Sequence, residues 1–256
     1  MRRALALLLL VLPLAACGGS DVTSLDPIAQ AASNTRDAAG AHFAMNARLA
    51  LQGQNVAFGG PGEIADHGRK LHMQLTMPMA VLGVSGSSGA SATFEAVSAG
   101  GFFYLRGGVF ERIAPGKWIR VKNTDKNFNL GQNDPSQMLQ YLRATSDIDE
   151  QGQDTVRGVS TTHYAARIQI DKVAERVSAD AARALRQLST SLRTKEIPMD
   201  VWVDDDGLVR RVKMDWRSPS GGSFVVNMDL FDFGDVDIDV PAKSDTTDLS
   251  TMLGGG

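Results

Sequence analysis

The stretch KLHMQLTM, residues 70–77, alternates polar and apolar side chains more cleanly than any other part of the chain. Leu71, Met73, Leu75 and Met77 are its apolar members, and each follows a polar residue. Successive side chains of a β-strand point to opposite faces, so this spacing predicts a strand with one face against a core and the other in water. Strands of this kind are typical of antiparallel sheets.

The same period of two recurs along the chain on both sides of this stretch, with turn-forming residues between the segments. Asp206-Gly207 is one such turn signal, and it lies between two apolar-alternating segments. A segment rich in glycine and serine, GVSGSSGAS at 83–91, interrupts the pattern. We predict further strands at 43–51, 55–66, 92–98, 102–106, 118–122, 148–150, 159–170, 197–203, 208–216 and 223–231.

Three segments carry helix signals instead. Asp26-Pro27 combines an N-cap residue with proline at the first helical position and predicts a helix to about residue 39. Asn133-Asp134-Pro135 starts a second helix, and apolar residues at helical spacing predict a third at 178–192. Because strands and helices do not alternate, we predict a single-domain α+β fold in which a curved antiparallel sheet wraps around two or three helices.

The first 16 residues have the charge, length and order of a secretory signal. Two arginines precede an apolar run at 4–14, which is too short for a membrane-spanning helix of roughly 20 residues. The run ends in LAAC, residues 14–17, which contains the single cysteine of the chain, Cys17. This tetrapeptide resembles the bacterial lipobox, in which a diacylglycerol is attached to the cysteine thiol and the chain is cut before it.

We therefore predict a lipoprotein signal peptide at 1–16, a lipidated cysteine with a flexible tether at 17–24, a folded domain at 25–242 and a loose polar tail at 243–256. Two acyl chains suffice for stable anchoring, whereas one is marginal. The expected location is the extracytoplasmic face of the cell membrane, with Cys17 as the anchor. An ordinary signal peptide that happens to end near a free cysteine is the alternative.

Composition argues against several classes of partner. Removal of 1–16 leaves 24 basic and 29 acidic residues, a net charge of −5. A mildly acidic domain is a poor candidate for binding nucleic acid or an anionic membrane surface. We expect a monomer without a nucleic-acid partner.

Motifs for catalysis or metal binding are weak throughout the sequence. The four histidines lack the spacing of paired metal ligands on a helix, and the serines of 83–91 do not form a nucleophile elbow. The acidic turn at 204–207 lacks the later ligands of a calcium loop. We predict no enzyme activity, no metal and no cofactor. We expect these histidines, and the acidic residues at 235–239, to lie on the solvated surface. The alternatives are a metal shared by His67 and His72 and a weak cation site at 235–239.

Three stretches in the second half of the chain resemble one family when taken together. They are DPSQMLQYLRATSDIDEQGQDTVRGVSTTHYAARI at 134–168, IPMDVWVDDDGLVRRVKMDW at 197–216 and FDFGDVDIDVPA at 231–242. The matching features include the Asp-Pro-Ser helix start, the run ending in Tyr164, the strand of Trp202 and a final strand running to Pro241. This order is similar to the actinobacterial lipoproteins of the LppX and LprG type, within the broader group of Lol-like lipoprotein carriers.

The resemblance implies a curved half-barrel that clasps helices and encloses a cavity for the acyl chains of lipids or lipoproteins. Several methionines lie on predicted apolar strand faces, and methionine suits a surface that accepts varied apolar partners, although it also fills ordinary cores. The candidates for the cavity lining are Phe43, Met45, Leu71, Met73, Leu75, Met77, Phe94, Tyr164, Met199, Met214 and Met228.

Two functions are consistent with the sequence. The first is a membrane-anchored lipoprotein that binds acyl chains in an apolar cavity and carries or presents them in the cell envelope. The second is an envelope protein-interaction module with the same fold and no lipid cargo. An apolar cavity of several hundred cubic ångströms would favour the first, and a large dry core would favour the second.

Overall fold

The computed structural model describes residues 26–51, 54–79, 90–123, 142, 145–175, 179–218 and 222–249. Cys17, the glycine- and serine-rich segment up to residue 89, and the helix predicted from residue 133 lie outside these ranges, apart from Leu142. The predictions made for those parts of the chain therefore stay predictions.

The described residues form an α+β structure dominated by strands. The helices are α1 (Pro27–Asp37), α2 (Phe110–Ile113), α3 (Ile170–Ala174) and α4 (Ala179–Leu192). In the described ranges, no helix has both the length and the apolar character needed to cross a membrane. The strands are β1 (Ala41–Leu51), β2 (Gln54–Ala65), β3 (Lys70–Pro78), β4 (Ser91–Ala99), β5 (Phe102–Gly107), β6 (Trp118–Lys122), β7 (Thr145–Val156), β8 (Val159–Gln169), β9 (Glu196–Asp204), β10 (Val209–Arg217), β11 (Ser223–Phe231) and β12 (Thr246–Asp248).

All of these strands belong to one curved, unclosed sheet. Its 12 strands follow the order β12-β6-β5-β4-β3-β2-β1-β11-β10-β9-β8-β7. Every neighbouring pair is antiparallel except β12 and β6, which are parallel. The sheet thus consists of two meanders, β1–β6 and β7–β11, joined where β1 pairs with β11. The predicted fold class of α+β with an antiparallel sheet is confirmed.

The two ends of the strands carry connections of different length. At one end, which we call the short-turn end, compact turns at 66–69, 100–101, 157–158 and 205–208 connect neighbouring strands. At the other, the loop-rich end, longer connections at 108–117 and 170–195 carry α2, α3 and α4. The strand registers place Met77, Gln169 and Glu196 at the loop-rich end.

Helix α1 begins where the sequence predicts it. The Asp26 carboxylate accepts hydrogen bonds from the backbone N–H groups of Ile28 and Ala29, each at 3.0 Å, which caps the helix. The side chains facing the sheet are small or medium-sized, so the helix lies close against it. The buried members of this face are Ile28, Ala31, Ala32 and Thr35.

Some elements differ from the sequence prediction for identifiable reasons. Strand β7 is 12 residues long, although only 148–150 was expected, because register shifts at 146–149 and 150–152 break its alternation. Residue Ile170, expected at the end of a strand, begins α3 instead. The short helix α2 was not predicted.

The end of the folded domain also differs from expectation. The prediction of a loose tail from residue 243 is wrong for 243–249, where β12 pairs with β6. Two hydrogen bonds from the Arg120 guanidinium to the Asp248 carboxylate, at 2.7 and 2.9 Å, and burial of Leu249 hold this segment. The final strand, which the family resemblance led us to expect as far as Pro241, is β11 and ends at Phe231.

Candidate functional site

One face of the sheet carries continuous rows of apolar side chains across both meanders, and we call it the apolar face. Paired residues of antiparallel strands lie side by side on the same face, so the registers define the rows. Met45, Met228, Val212, Val201 and Tyr164 form one row across β1, β11, β10, β9 and β8. This row crosses the junction of the two meanders without a charged residue.

A parallel row lies one step closer to the loop-rich end. It consists of Phe58, Ala47, Val226, Met214, Met199 and Ala166. Both rows belong to the principal hydrophobic cluster of the molecule, in which α1, Leu142 and α3 pack against the sheet. The methionines of the second meander therefore lie next to one another rather than scattered through the core.

The first meander extends the apolar face through a close approach of strands. Phe43, Gly62, Met73 and Ala96 are register neighbours across β1–β4. A Cβ atom at Gly62 would lie 2.2 Å from Cζ of Phe43, so only glycine leaves room for this fully buried ring. The Phe43 ring consequently lies across β2 and fills the space beside Met73.

Along β1, β2, β3 and β11, exposure on the apolar face increases toward the loop-rich end. Phe43, Met228 and Leu230 are no more than 1% exposed. Leu75 and Met77, near the end of β3, are only partly buried. Leu49, Phe58 and Phe224 are also only partly buried and lie at the same end of β1, β2 and β11. On these four strands the apolar side chains are thus buried at the short-turn end and partly exposed at the other, whereas Ile168, Ile197 and Trp216 stay buried at the loop-rich end of β8, β9 and β10.

Two depressions among the described residues lie away from the apolar rows. A groove of about 990 Å³ follows α4, and a depression of about 610 Å³ lies at the short-turn end beside Asp66 and Tyr104. Between α1 and the start of β1, the described residues leave about 20 Å³. This cleft beside the end of α1 is too small to hold an acyl chain.

Comparison with known proteins identifies the family. A family model described as LppX_LprAFG lipoprotein matches residues 69–240, which is more than half of the chain. The chain belongs to this lipoprotein family. The resemblance to LppX- and LprG-type lipoproteins that the sequence suggested is therefore confirmed.

Individual relatives of the LppX_LprAFG chain are distant. A 31.2 kDa protein from the rplA–rplJ intergenic region of Streptomyces griseus is 31% identical over 126 residues, which is 48% of this chain. The chain covers 41% of that relative's length. The crystal structure of LprF from Mycobacterium bovis matches with a TM-score of 0.50 and 11% identity, covering 84% of this chain and 94% of LprF. LppX from Mycobacterium tuberculosis matches at 0.49 and 14%, covering 86% and 100%. The LprF similarity shows a shared fold.

In this LppX_LprAFG chain all eleven predicted lining residues lie on the apolar face. The registers and strand alternation place them together, although only three of them are partly exposed: Leu75, Met77 and Tyr164. The other eight are buried: Phe43, Met45, Leu71, Met73, Phe94, Met199, Met214 and Met228. Phe94 lies apart from the main cluster and makes an edge contact with the ring of Phe110 in α2. Contact of these residues with a ligand stays a prediction.

Tyr164 is the polar member of the central row. Burial, and then the nearby Glu150 carboxylate, raises the pKa of the Tyr164 phenol, while a hydrogen bond with Thr162 acts in the opposite direction. The phenol is therefore neutral at physiological pH. It provides one hydrogen-bonding group at the edge of an otherwise apolar surface.

The sequence analysis missed several members of the apolar face. Alternation within the predicted strands pointed to them, but the candidate list took only some residues of each strand. The residues missed include Phe58, Val201, Val212, Phe224 and Leu230.

The opposite face of the sheet, which we call the polar face, carries the histidines and several ion pairs, and next to them a smaller apolar cluster of Val97, Tyr104 and Ile238. His72 lies between Glu63 and Glu95, with Nε2 at 3.0 Å from Glu95 Oε1. His67 instead contacts the backbone oxygen of Asp37 at 3.0 Å. The two histidines considered as a shared metal site thus have separate partners. Within the described residues no group of histidine, cysteine and acidic side chains is arranged to hold a metal ion.

Proposed function

We propose that the chain is a membrane-anchored lipoprotein that binds acyl chains on the apolar face and carries or presents them in the cell envelope. Acylated Cys17 would anchor it at the extracytoplasmic face of the membrane. The observation that carries the proposal is the gradient of exposure along β1, β2, β3 and β11 on the apolar face. Rows sealed at the short-turn end continue without interruption to partly exposed apolar side chains at the loop-rich end.

The driving force would be desolvation of the ligand. Each methylene group transferred from water to an apolar surface contributes about 0.8 kcal/mol, so a chain of ten buried methylenes gains on the order of 8 kcal/mol before entropic costs. Methionine side chains adapt to flexible ligands because they are unbranched and polarisable. Met77, partly exposed, and the buried Met199 and Met214 lie at the loop-rich end of the face.

A protein-interaction module without lipid is the second candidate. Burial of eight of the eleven candidate lining residues favours it, because a buried side chain has no surface left for a ligand. The two candidates differ in what the partly exposed residues of the loop-rich end contact. In the first they contact acyl chains, and in the second they contact another protein.

Mass spectrometry of residues 18–256, purified from a bacterial host, separates the two candidates. Every described element lies within 26–249, so this chain keeps the folded part. We expect adducts of lipid mass in native spectra that disappear on denaturation. Leu75→Asp should abolish the adducts because it places a charge among apolar side chains of the accessible end.

Thr76→Asp is the matched control for Leu75→Asp. It adds the same charge one residue further along β3, on the exposed polar face, where Thr76 Oγ1 contacts Thr93 Oγ1 at 2.7 Å. Thr76→Asp should keep the adducts. A wild-type protein that stays free of lipid after incubation with mixed membrane lipids would overturn the proposal and favour the interaction module. Equal adducts in both variants would move the binding site away from the apolar face.

A further inference from the structure

The depression of about 610 Å³ at the short-turn end lies on the polar face of the first meander. Two turns form its sides. Asp66 and Arg69 belong to the turn between β2 and β3, and Gly100 and Gly101 form the turn between β4 and β5. The rest of its lining consists of Lys70, Ala99, Tyr104 and Val240. Its volume falls within the range of about 300–1,000 Å³ that is usual for small-molecule sites.

The chain that follows β11 forms a third side of this depression. Val236 and Ile238 pack on the smaller apolar cluster that contains Tyr104, so the segment at 232–241 crosses the polar face. Two residues after Ile238, Val240 lines the depression and is 41% exposed. The crossing segment therefore presents an apolar side chain to the depression.

Tyr104 is a buried side chain whose polar group is free. The residue is 7% exposed, and its ring lies 6.4 Å from that of Phe102. Among the described residues the phenol has no hydrogen-bond partner, and its register neighbour Arg120 is held by Asp248. No side-chain nitrogen or oxygen in that part of the chain is both fully buried and unpartnered, so the phenol oxygen reaches an open surface. The depression is the open space that Tyr104 lines.

Charged groups around the phenol supply both hydrogen-bond donors and an acceptor. The Arg69 guanidinium donates to the Asp66 carboxylate and, from Nε at 3.2 Å, to the Asp66 carbonyl, which holds this turn in place. A hydrogen bond with Arg69, and then the charges of Arg69 and Lys70, outweigh burial and lower the pKa of Asp66. The Asp66 carboxylate is therefore an acceptor at neutral pH. The Lys70 ammonium forms no ion pair among the described residues and adds three donors.

These charges select neither an anion nor a cation. One acidic and two basic side chains line the depression, and the exposed aspartates of 235–239 lie on the crossing segment beside it. An anion would meet Asp66 and these aspartates, and a cation would meet Arg69 and Lys70. A hydroxyl group both donates and accepts, so hydroxyl groups can use Asp66, Lys70 and Tyr104 together without a charge of their own. The lining therefore fits a neutral ligand that carries several hydroxyl groups.

We propose that this depression is a binding site for a neutral sugar unit. Hydroxyl groups of the sugar contact Asp66, Lys70 and the phenol of Tyr104, and C–H groups of its ring pack against Val240. The Gly100–Gly101 turn, with φ of 58° and 83°, forms the opposite wall without side chains, and a Cβ atom at either position would project into open space. The site lies across the sheet from the apolar face and does not depend on acyl-chain binding.

Saturation-transfer difference NMR on residues 18–256 tests the sugar site. The probes are glucose, mannose, N-acetylglucosamine and trehalose at millimolar concentration, with glucuronate and glucosamine as charged analogues. We expect saturation transfer to at least one neutral sugar and weaker transfer to both analogues, because Asp66 repels glucuronate and Lys70 repels glucosamine. No transfer to any neutral sugar, or stronger transfer to either analogue, would overturn the proposal.

Tyr104→Phe removes only the phenol oxygen. It should weaken sugar binding roughly three- to tenfold, which is the effect of one hydrogen bond. The melting temperature should not change, because the oxygen has no hydrogen-bond partner in the folded protein. Unchanged sugar binding, or a melting temperature that falls together with binding, would contradict the assigned role of this oxygen.

Lys70→Met and Lys122→Met form a matched pair. Each removes one ammonium group from the short-turn end of the sheet, but only Lys70 lines the depression. Lys70→Met should weaken sugar binding, and Lys122→Met should bind sugar like wild type. Equal losses in the two variants would overturn the site. Circular dichroism of both variants checks that the fold is kept.

Failure of the sugar site and failure of lipid carriage give different results. The native mass spectrum of Tyr104→Phe should still show lipid adducts, because Tyr104 lies on the polar face. Sugar binding by a wild-type protein that carries no lipid would keep the sugar site and reject carriage. Lipid adducts without sugar binding would do the reverse.

Discussion

At the scale of single residues, Asp229 is a buried carboxylate held by two arginines. It is 8% exposed, and it accepts hydrogen bonds from Arg211 Nε at 2.6 Å, from Arg211 Nη2 at 2.9 Å and from Arg157 Nε at 3.2 Å. Arg211 lies beside it on β10, whereas Arg157 comes from the turn between β7 and β8. One carboxylate therefore ties three parts of the second meander together on the polar face.

We expect Asp229→Asn to lower the free energy of unfolding at pH 7 by about 1–3 kcal/mol, because it removes charge-assisted hydrogen bonds from a buried position. Chemical denaturation monitored by tryptophan fluorescence measures this loss. Asp215→Asn is the control, since Asp215 pairs with an Arg217 side chain that is 72% exposed. It should cost at most about 1 kcal/mol. Equal losses would contradict the role of Asp229.

The same carboxylate predicts part of the pH dependence of stability. Burial alone would raise the pKa of Asp229, but the hydrogen bonds and charges of Arg211, and then of Arg157, outweigh burial and lower it. A lowered folded-state pKa stabilises the protein above the unfolded-state value of about 3.9, and this stabilisation disappears as pH falls through the folded-state pKa. The difference in stability between wild type and Asp229→Asn should thus be constant from pH 7 to 5 and shrink below pH 4.

At the scale of elements, α1 is attached to the sheet by a side-chain hydrogen bond as well as by packing. The backbone N–H of Val209 donates to Thr35 Oγ1 at 2.8 Å, and this contact is buried. Asn34 Nδ2 donates to the Gly207 carbonyl at 3.3 Å beside it. The helix thereby completes the first ladder position of β10, which the bulge between 209 and 211 leaves irregular.

Thr35→Val should weaken this attachment without changing the shape of the side chain. It leaves the Val209 N–H buried without a partner, which costs about 1–3 kcal/mol in the free energy of unfolding. Thr35→Ser keeps the hydroxyl and should cost less. Hydrogen exchange at the Val209 amide should accelerate in Thr35→Val and stay slow in Thr35→Ser. Slow exchange in both variants would mean that another group accepts this hydrogen bond.

Sequence patterns predicted elements well where one face is buried and the other is wet. Strand β3 and the hairpin of β9 and β10 follow this rule, and their alternation is visible by eye. Strand β7 violates it, because its bulges move acidic residues out of phase. Strand β12 is held mainly by the distant Arg120, which no local pattern reveals.

Assignment of side chains to the apolar face was predictable for a related reason, but the burial of each side chain was not. Alternation within each strand assigns side chains to a face, so all eleven candidates lie together on the apolar face. Which of them are sealed depends on what covers them, and that is set by the placement of α1 and α3 across the sheet. Leu75 is partly exposed, whereas Met73, two residues away on the same face, is buried. This difference follows from the tertiary arrangement alone.

At the scale of the whole molecule, the junction of β1 and β11 makes one sheet out of two meanders. Nine residue pairs join these strands, from His42 opposite Phe231 to Ala50 opposite Ser223. Met45 and Met228 face each other near its centre, and Met228 is fully buried. The rows of the apolar face cross this junction, so packing defects there affect both halves. The two meanders should therefore unfold as one cooperative unit.

Met228→Ala tests this cooperativity. Loss of a fully buried methionine should lower the free energy of unfolding by about 2–5 kcal/mol. If the meanders form one unit, protection of the slowest amides should fall by the same factor in β4 of the first meander and in β9 of the second. Met77→Ala is the control. Because this side chain at the loop-rich end is only partly buried, its loss should lower the free energy of unfolding by less and should not increase local opening of β9. Hydrogen exchange with mass spectrometry resolves both strands. A fall in β9 alone would show that the halves open independently, and the apolar face would then consist of two separable surfaces rather than one.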